Sequence, residues 1–185
     1  MITNLIEIQN FLRNKKICLL GNSNNILKNQ KNIDSYDVVC RINRGNPIGK
    51  EKFIGSRTDI LFLSTKMKDI DITKNFNPKY VVWIIKDIKQ QNNWETQHVI
   101  KVPPDDWREV KDKLTTLPST GCTSIYFLIK HIDFDKLDIY GFDFFKSGTW
   151  YHNLKNQQWH NGTLEKQFIT NLIKNNEKIQ LIKEK

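Results

Sequence analysis

The stretch from residue 17 to residue 64 constrains the fold more than any other part of the chain. It reads ICLLGNSNNILKNQKNIDSYDVVCRINRG and closes on GSRTDILFLS. An apolar strand at 17–20 runs into the loop Gly21-Asn22-Ser23-Asn24-Asn25, a helix is expected to open from that loop, and a second strand over 36–42 ends on Arg41-Ile42-Asn43-Arg44-Gly45. A doubly wound α/β sheet has this order and presents polar groups at the carboxyl ends of its strands. Two adjacent loops rich in Asn, Ser and Gly are suited to clasp a phosphate and a ribose.

Apolar periodicity extends the map. A short amphipathic helix over 5–12 precedes the first strand, and further strands fall at 59–63, 80–85 and 98–102, the last stopped by Pro103-Pro104. A helix over 105–114, with Asp105-Asp106 as its cap, leads to Leu117-Pro118-Ser119-Thr120-Gly121. Residues 122–131 read as a buried helix, 137–141 as a strand, 163–173 as a helix and 178–182 as a terminal strand. Repetition of strand, loop and helix predicts a mostly parallel sheet with helices on both faces. Residues 142–159 have no period and read as a long binding loop or lid over the sheet. With 185 residues, 38% of them apolar, one domain with a real core is expected, without internal repeat or linker.

Neither a signal peptide nor a membrane span is expected, because Glu7, Arg13, Lys15 and Lys16 interrupt the early apolar runs. Three cysteines, Cys18, Cys40 and Cys122, leave at least one unpaired, which favours a reduced, cytoplasmic compartment. The net charge of +9 comes mostly from dispersed lysines, with only five arginines. Such a field favours an anionic substrate, a lipid headgroup surface or nucleic acid without choosing among them, and much of it is ordinary solvated surface.

Gly21 to Asn25 is not a GxGxxG or P-loop, so a dinucleotide or ATP is disfavoured; it suits a nucleoside monophosphate, and equally a βα turn with an Asn or Ser cap. Pro118-Ser119-Thr120-Gly121 is either a second anion-ready cup or a capping motif. Of the four histidines, His98 and His131 lie in regular structure and read as packing or surface residues. His152 and His160 lie in the aromatic, polar loop, and His160 with Glu165 five residues on is a candidate general base. No spacing supports a metal site.

Together these residues resemble the sialyltransferases of glycosyltransferase family 29. The family's large motif is similar to Gly21-Asn22-Ser23, Ile33-Asp34-Ser35-Tyr36-Asp37-Val38-Val39, Arg41-Ile42-Asn43-Arg44 and Gly55-Ser56-Arg57-Thr58-Asp59. Its small motif resembles Pro118-Ser119-Thr120-Gly121 with Asp138-Ile139-Tyr140-Gly141-Phe142, and its last motif resembles His160 with Glu165. Tyr140-Gly141-Phe142-Asp143-Phe144-Phe145 and Gly148 to Tyr151 also resemble the bacterial sialyltransferases of family 42. Both resemblances imply a single Rossmann-like α/β domain of the GT-A-variant type, spanning 1–185, that uses a CMP-sugar without cofactor or metal. Nucleotide-binding loops are expected at 21–25, 41–45 and 118–121, and a catalytic loop at 142–165.

Residue by residue, the resemblance implies that Gly21, Asn22, Ser23 and Asn25 meet the cytidylyl phosphate or ribose and that Asn43 binds the same nucleotide. It places Ser119, Thr120 and Gly121 at the ribose or cytosine, Gly141 beside the base, His160 as the base that deprotonates an acceptor hydroxyl, and Glu165 as its structural support. Tyr151 and His152 are the candidates to stabilise the leaving group, because Trp150 stands where the family's third motif has histidine. Cys18 is one residue off the family's cysteine position and no cysteine follows Cys122, so the family's disulfide is expected to be absent. The implied activity is inverting transfer of sialic acid, or a related keto-sugar acid, from its CMP donor to a glycan or glycolipid, with nucleic acid not expected as partner. Peripheral membrane contact through the basic surface fits the same charge. The competing readings are a non-catalytic nucleotide- or nucleic-acid-binding module and a degenerate transferase that binds donor without turnover.

Overall fold

The structure, a computed structural model, describes residues 5–84, 94, 97–152 and 159–183. Seven strands form one sheet: β1 (Lys16–Leu20), β2 (Val38–Ile42), β3 (Ile60–Leu63), β4 (Tyr80–Trp83), β5 (Val99–Lys101), β6 (Lys136–Tyr140) and β7 (Ile179–Leu181). Their order is β5-β4-β3-β2-β1-β6-β7, and all the pairings are parallel. β2, β3 and β4 are buried along their whole length, which is why they read as continuous apolar runs without alternation.

Pairing register sorts the strand side chains onto two faces. Ile17, Leu19, Val38, Cys40, Ile60, Phe62 and Val82 meet α1 (Leu5–Leu12), α4 (Pro104–Leu114), α5 (Thr120–His131) and α6 (Gly162–Ile173) in the larger core. On the other face, Cys18, Leu20 and Val39 pack on Ile54 of the short α2 (Glu51–Ile54). Beside them Leu61, Leu63, Val81 and Trp83 pack on Ile72 and Phe76, at α3 (Asp69–Asn75). Both faces are therefore covered by helices, as the α/β reading expects. Cys18, Cys40 and Cys122 are buried free thiols, which burial holds above the usual thiol range.

Three local expectations differ from the structure. The helix expected after Gly21 is a single 3₁₀ turn, Asn24–Leu27, and Ser23 makes no capping bond to it. Asparagine is a poor helix former because its amide competes for other partners. Here Asn24 Nδ2 donates to the Ser147 carbonyl at 2.6 Å and Asn25 Nδ2 to Asp143 Oδ2 at 3.3 Å. Pro103, not an aspartate, occupies the cap of α4, and Asp106 is buried against Lys130 and His131 of α5 instead. His131 is thus a hydrogen-bond partner between two helices. Finally, α2 and α3 are too short for periodicity to reveal. The expected end of β4 at 85 and the middle of the long loop, 153–158, lie outside the described residues.

The charged residues of the 33–59 stretch build scaffold. Asp34 accepts the Ser56 and Arg57 N–H groups and the Ser56 hydroxyl at 2.8–3.0 Å. Against the upward push of burial, those bonds hold its carboxyl below the ordinary range. Arg41, fully buried on β2, forks onto the carbonyls of Ile54, Gly55 and Arg57 and the Thr58 hydroxyl. Burial lowers its pKa to about 10.

Candidate active site

β1 lies between β2 and β6, so consecutive connections leave it in opposite directions. A crevice opens at such a switch point, beyond the carboxyl ends of the strands. Here it is a cavity of about 280 Å³ lined by residues that follow β1, β2, β3 and β6 and by the first turns of α5 and α6. Gly21, Asn22, Ser23, Asn43, Ser119, Thr120, Gly121, Gly141, Tyr151 and His160 all line it. The structure therefore gathers into one space residues that lie far apart in the chain. An adjoining cavity of about 290 Å³ shares Ser23 and Phe142 to Phe144 with it and carries Asn25, Lys146 and Lys166. His152 lines neither; it is exposed, and its backbone pairs with Thr149.

Gly21 and Gly141 are required by the crossing of two backbones. A Cβ on Gly21 would stand 2.4 Å from the Gly141 carbonyl oxygen, and one on Gly141 2.8 Å from that of Gly21. Gly121 likewise makes room for the Phe142 ring. The room that these glycines leave is thus used by the protein's own backbone and ring, while all three still line the cavity. The first loop is then stitched to the long loop by Ser23 N–H to Gly141 O, Asn24 N–H to Gly148 O and Trp150 N–H to Asn22 O, at 3.1–3.3 Å.

Asparagine side chains set the width of the cleft. Asn22 Nδ2 donates to the Ile42 carbonyl at 2.9 Å and to Tyr151 Oη at 3.0 Å, tying the ends of β1 and β2 to the long loop. Asn43, in the left-handed region at φ 48°, receives the Ser64 N–H on Oδ1 and donates from Nδ2 to Thr120 Oγ1, each at 3.0 Å. Ser23 Oγ is buried without a hydrogen-bond partner among the described residues, a hydroxyl that a bound molecule would satisfy.

Of the two readings of Pro118 to Gly121, the capping one holds. Glu165, buried at 3% exposure, receives the Ser119 N–H on Oε1 and the Ser119 hydroxyl on Oε2, both at 2.7 Å, while Ser119 Oγ caps Cys122 N–H. An internal carboxylate thus already answers the amino end of α5. Of the first-turn N–H groups, those of Thr120 and Gly121 have no partner among the described residues. The cup suits a hydroxyl or an amine better than a second anion. Burial pushes the Glu165 carboxyl up, opposed by the two Ser119 bonds.

His160 is held on two sides. Its Nδ1 lies 2.8 Å from the Leu117 carbonyl, which can only accept, so Nδ1 donates there and the neutral form of the ring has its lone pair on Nε2. Its ring stacks on Phe145 at 5.7 Å between centroids and 13° between planes. Phe144 and Phe145 both sit in the left-handed region, at φ 57° and 69°, a conformation that disfavours aromatic residues. Tyr151 accepts from Asn22, which leaves its own O–H to donate, and burial raises its pKa so that it stays neutral. Ser64, Asp143 and Phe145 also line the cavity and were not among the expected site residues. Ser64 falls at a strand end, and Asp143 and Phe145 lie in the stretch that resembles the family 42 enzymes. Among the described residues no three His, Cys, Asp or Glu side chains cluster to hold a metal, and no helix is long and apolar enough to cross a membrane.

A parallel sheet with a polar cleft at its switch point is where open α/β folds bind their ligands. No family model matches the chain. Its curated relatives are α2,3-sialyltransferases, so the likeness read from the motifs stands. CMP-N-acetylneuraminate-beta-galactosamide-alpha-2,3-sialyltransferase 1 of Gallus gallus is 27% identical over 169 residues, covering 77% of this chain and 48% of the relative. Type 2 lactosamine alpha-2,3-sialyltransferase of Mus musculus is 25% identical over 206 residues, covering 86% and 63%. The chain spans about half the length of several curated relatives it matches. The fold is that of sialyltransferases: a mammalian crystal structure superposes over 100% of this chain and 74% of its own, with TM-score 0.69 and 21% identity. CstII from Campylobacter jejuni, in complex with CMP-3FNeuAc, matches 86% of this chain and 79% of its own at TM-score 0.57 and 11% identity.

Proposed function

We propose that this chain transfers sialic acid, or a related keto-sugar acid, from a CMP donor to a glycan hydroxyl with inversion and without a metal. The observation that carries the reading is the placement of His160. A histidine with Nδ1 committed to Leu117 O shares one cavity with the Gly21 to Ser23 loop and the amino end of α5. Its Nε2 lone pair accepts the acceptor hydroxyl proton as the new C–O bond forms at the anomeric carbon. The bond from that carbon to the CMP phosphate oxygen breaks, and CMP departs with the electron pair. Charge grows on the leaving phosphate, so donors aimed at it lower the barrier. Tyr151 O–H is assigned this task, because Tyr151 lines the cavity and His152 does not. Glu165 occupies the anion position of α5, so the phosphate is assigned to the Gly21 to Ser23 side and the nucleoside to Thr120 and Gly121. The adjoining cavity, with Asn25 and Asp143, extends the room for the donor.

Thermal unfolding with CMP, followed by turnover of His160→Ala, tests this reading. Saturating CMP should stabilise both wild type and variant, while the variant loses transfer by at least 100-fold, the scale of general-base catalysis. Full transfer by His160→Ala would remove the base assignment, and no CMP stabilisation would remove the donor assignment. Donor hydrolysis measured without acceptor separates a transferase from a domain that binds CMP-sugar without turnover.

A further inference from the structure

Five large apolar side chains stand exposed among the described residues: Ile6, Ile48, Ile70, Tyr151 and Trp159. Four of them share one end of the molecule. Ile48 follows β2, Ile70 opens α3 just after β3, and Tyr151 and Trp159 follow β6. Because every strand is parallel, the segments that follow strands leave the sheet at a single end, the end that holds the cavity. Ile48 and Ile70 form the tighter set. They leave adjacent strands, and α2 and α3 beyond them pack on the same face of the sheet. With strands about 4.8 Å apart, the whole row from β3 to β6 is roughly 14 Å wide.

Single exposed apolar residues are ordinary; these lie in segments rich in cations. Arg44, Lys50 and Lys52 flank Ile48 along the chain, and Lys66 and Lys68 precede Ile70. Three carboxylates, Glu51, Asp69 and Asp71, share these segments, and Glu51 is turned onto the Gly49 N–H at 2.9 Å. Ile48 is 54% exposed and Ile70 68%. Branched aliphatic side chains add nothing to phosphate contacts and offer no ring for bases to stack on. Apolar tips in segments that also carry lysine and arginine fit instead the boundary between headgroups and acyl chains.

We propose that this rim docks on an anionic lipid bilayer, Ile48 and Ile70 entering the headgroup boundary and the five cations meeting the lipid phosphates and carboxylates. One consequence rests on the transferase reading. The cavity opens at the docked end, so the hydroxyl delivered to His160 belongs to a membrane-borne glycan.

Sedimentation of the full chain with vesicles of phosphatidylcholine, alone or with about 30% phosphatidylserine, tests the docking. Wild type should sediment with the anionic vesicles and release in high salt. Ile48→Glu with Ile70→Glu should lower the partition more than about tenfold. Lys15→Gln with Lys16→Gln removes the same two units of charge at the opposite end and should change it less than about threefold. Ile48→Ser with Ile70→Ser keeps the charge and repeats the test if the glutamates disturb folding, which thermal unfolding reports. Equal losses in both pairs, no sedimentation of wild type, or binding of a single-stranded oligonucleotide in preference to the vesicles overturns the proposal. Vesicle binding without CMP stabilisation would instead overturn the transferase reading and leave the docking standing.

Discussion

Glu165 shows how one side chain decides what a neighbouring motif can bind. Its carboxyl is buried, and burial raises its pKa above the ordinary 4.5 despite the two bonds from Ser119. A group whose pKa is higher folded than unfolded contributes stability that is complete below the unfolded value and is lost as pH rises through the folded one. The Tm difference between wild type and Glu165→Gln should therefore shift in favour of the variant between pH 4 and pH 7. A difference constant over that range would remove the inference. Chemical denaturation of both proteins at the two pH values gives the same shift as a free energy.

At the scale of elements, the segment between α2 and β3 hangs on one guanidinium. Arg41 holds the carbonyls of Ile54, Gly55 and Arg57 together with Thr58 Oγ1, and Asp34 holds the same segment from outside through Ser56 and Arg57. An ammonium has no planar fork to replace that set. Arg41→Lys should cost about 3 kcal/mol of unfolding free energy, the cost of stranding buried partners. Urea unfolding would measure it, and a loss below about 1 kcal/mol would show that the segment finds other partners. A second element, the turn through Phe144 and Phe145, trades backbone strain for the stack that orients His160. Phe145→Ala should lower turnover about tenfold or more through misorientation of the base while CMP stabilisation stays within a few degrees. Unchanged turnover would mean that the Leu117 bond alone is sufficient.

The molecule as a whole couples a rigid parallel sheet to a cleft at one end of it. A ligand that binds only the folded state stabilises by about 2.7 kcal/mol at 100 times its dissociation constant. For a chain of this length that is roughly 5–10 °C in Tm. CMP should reach that range while uridine monophosphate, which lacks the exocyclic amine, gives less, because Ser119 Oγ has given its own proton to Glu165 and can only accept from a ligand. Equal shifts for the two nucleotides would place the base elsewhere.

Much of this was legible in the residues themselves. Continuous apolar runs announced buried parallel strands, since side chains covered on both faces cannot alternate, and the Asn, Ser and Thr clusters fell at the strand ends that form the cleft. The order of the motifs was enough to point to the sialyltransferases, and it singled out His160, which lines the cleft. What the chain order could not reveal were partners set by packing of distant segments. Glu165 reaches Ser119 across 46 residues and removes its cup from anion binding, and Gly21 and Gly141 fill each other's space. His152 turns outward while Tyr151, beside it in sequence, lines the cavity. Local sequence determined which groups stand at the ends of the strands. Only the tertiary structure decided which remain available to a ligand, because a hydrogen-bond donor satisfied within the protein is no longer free to bind one.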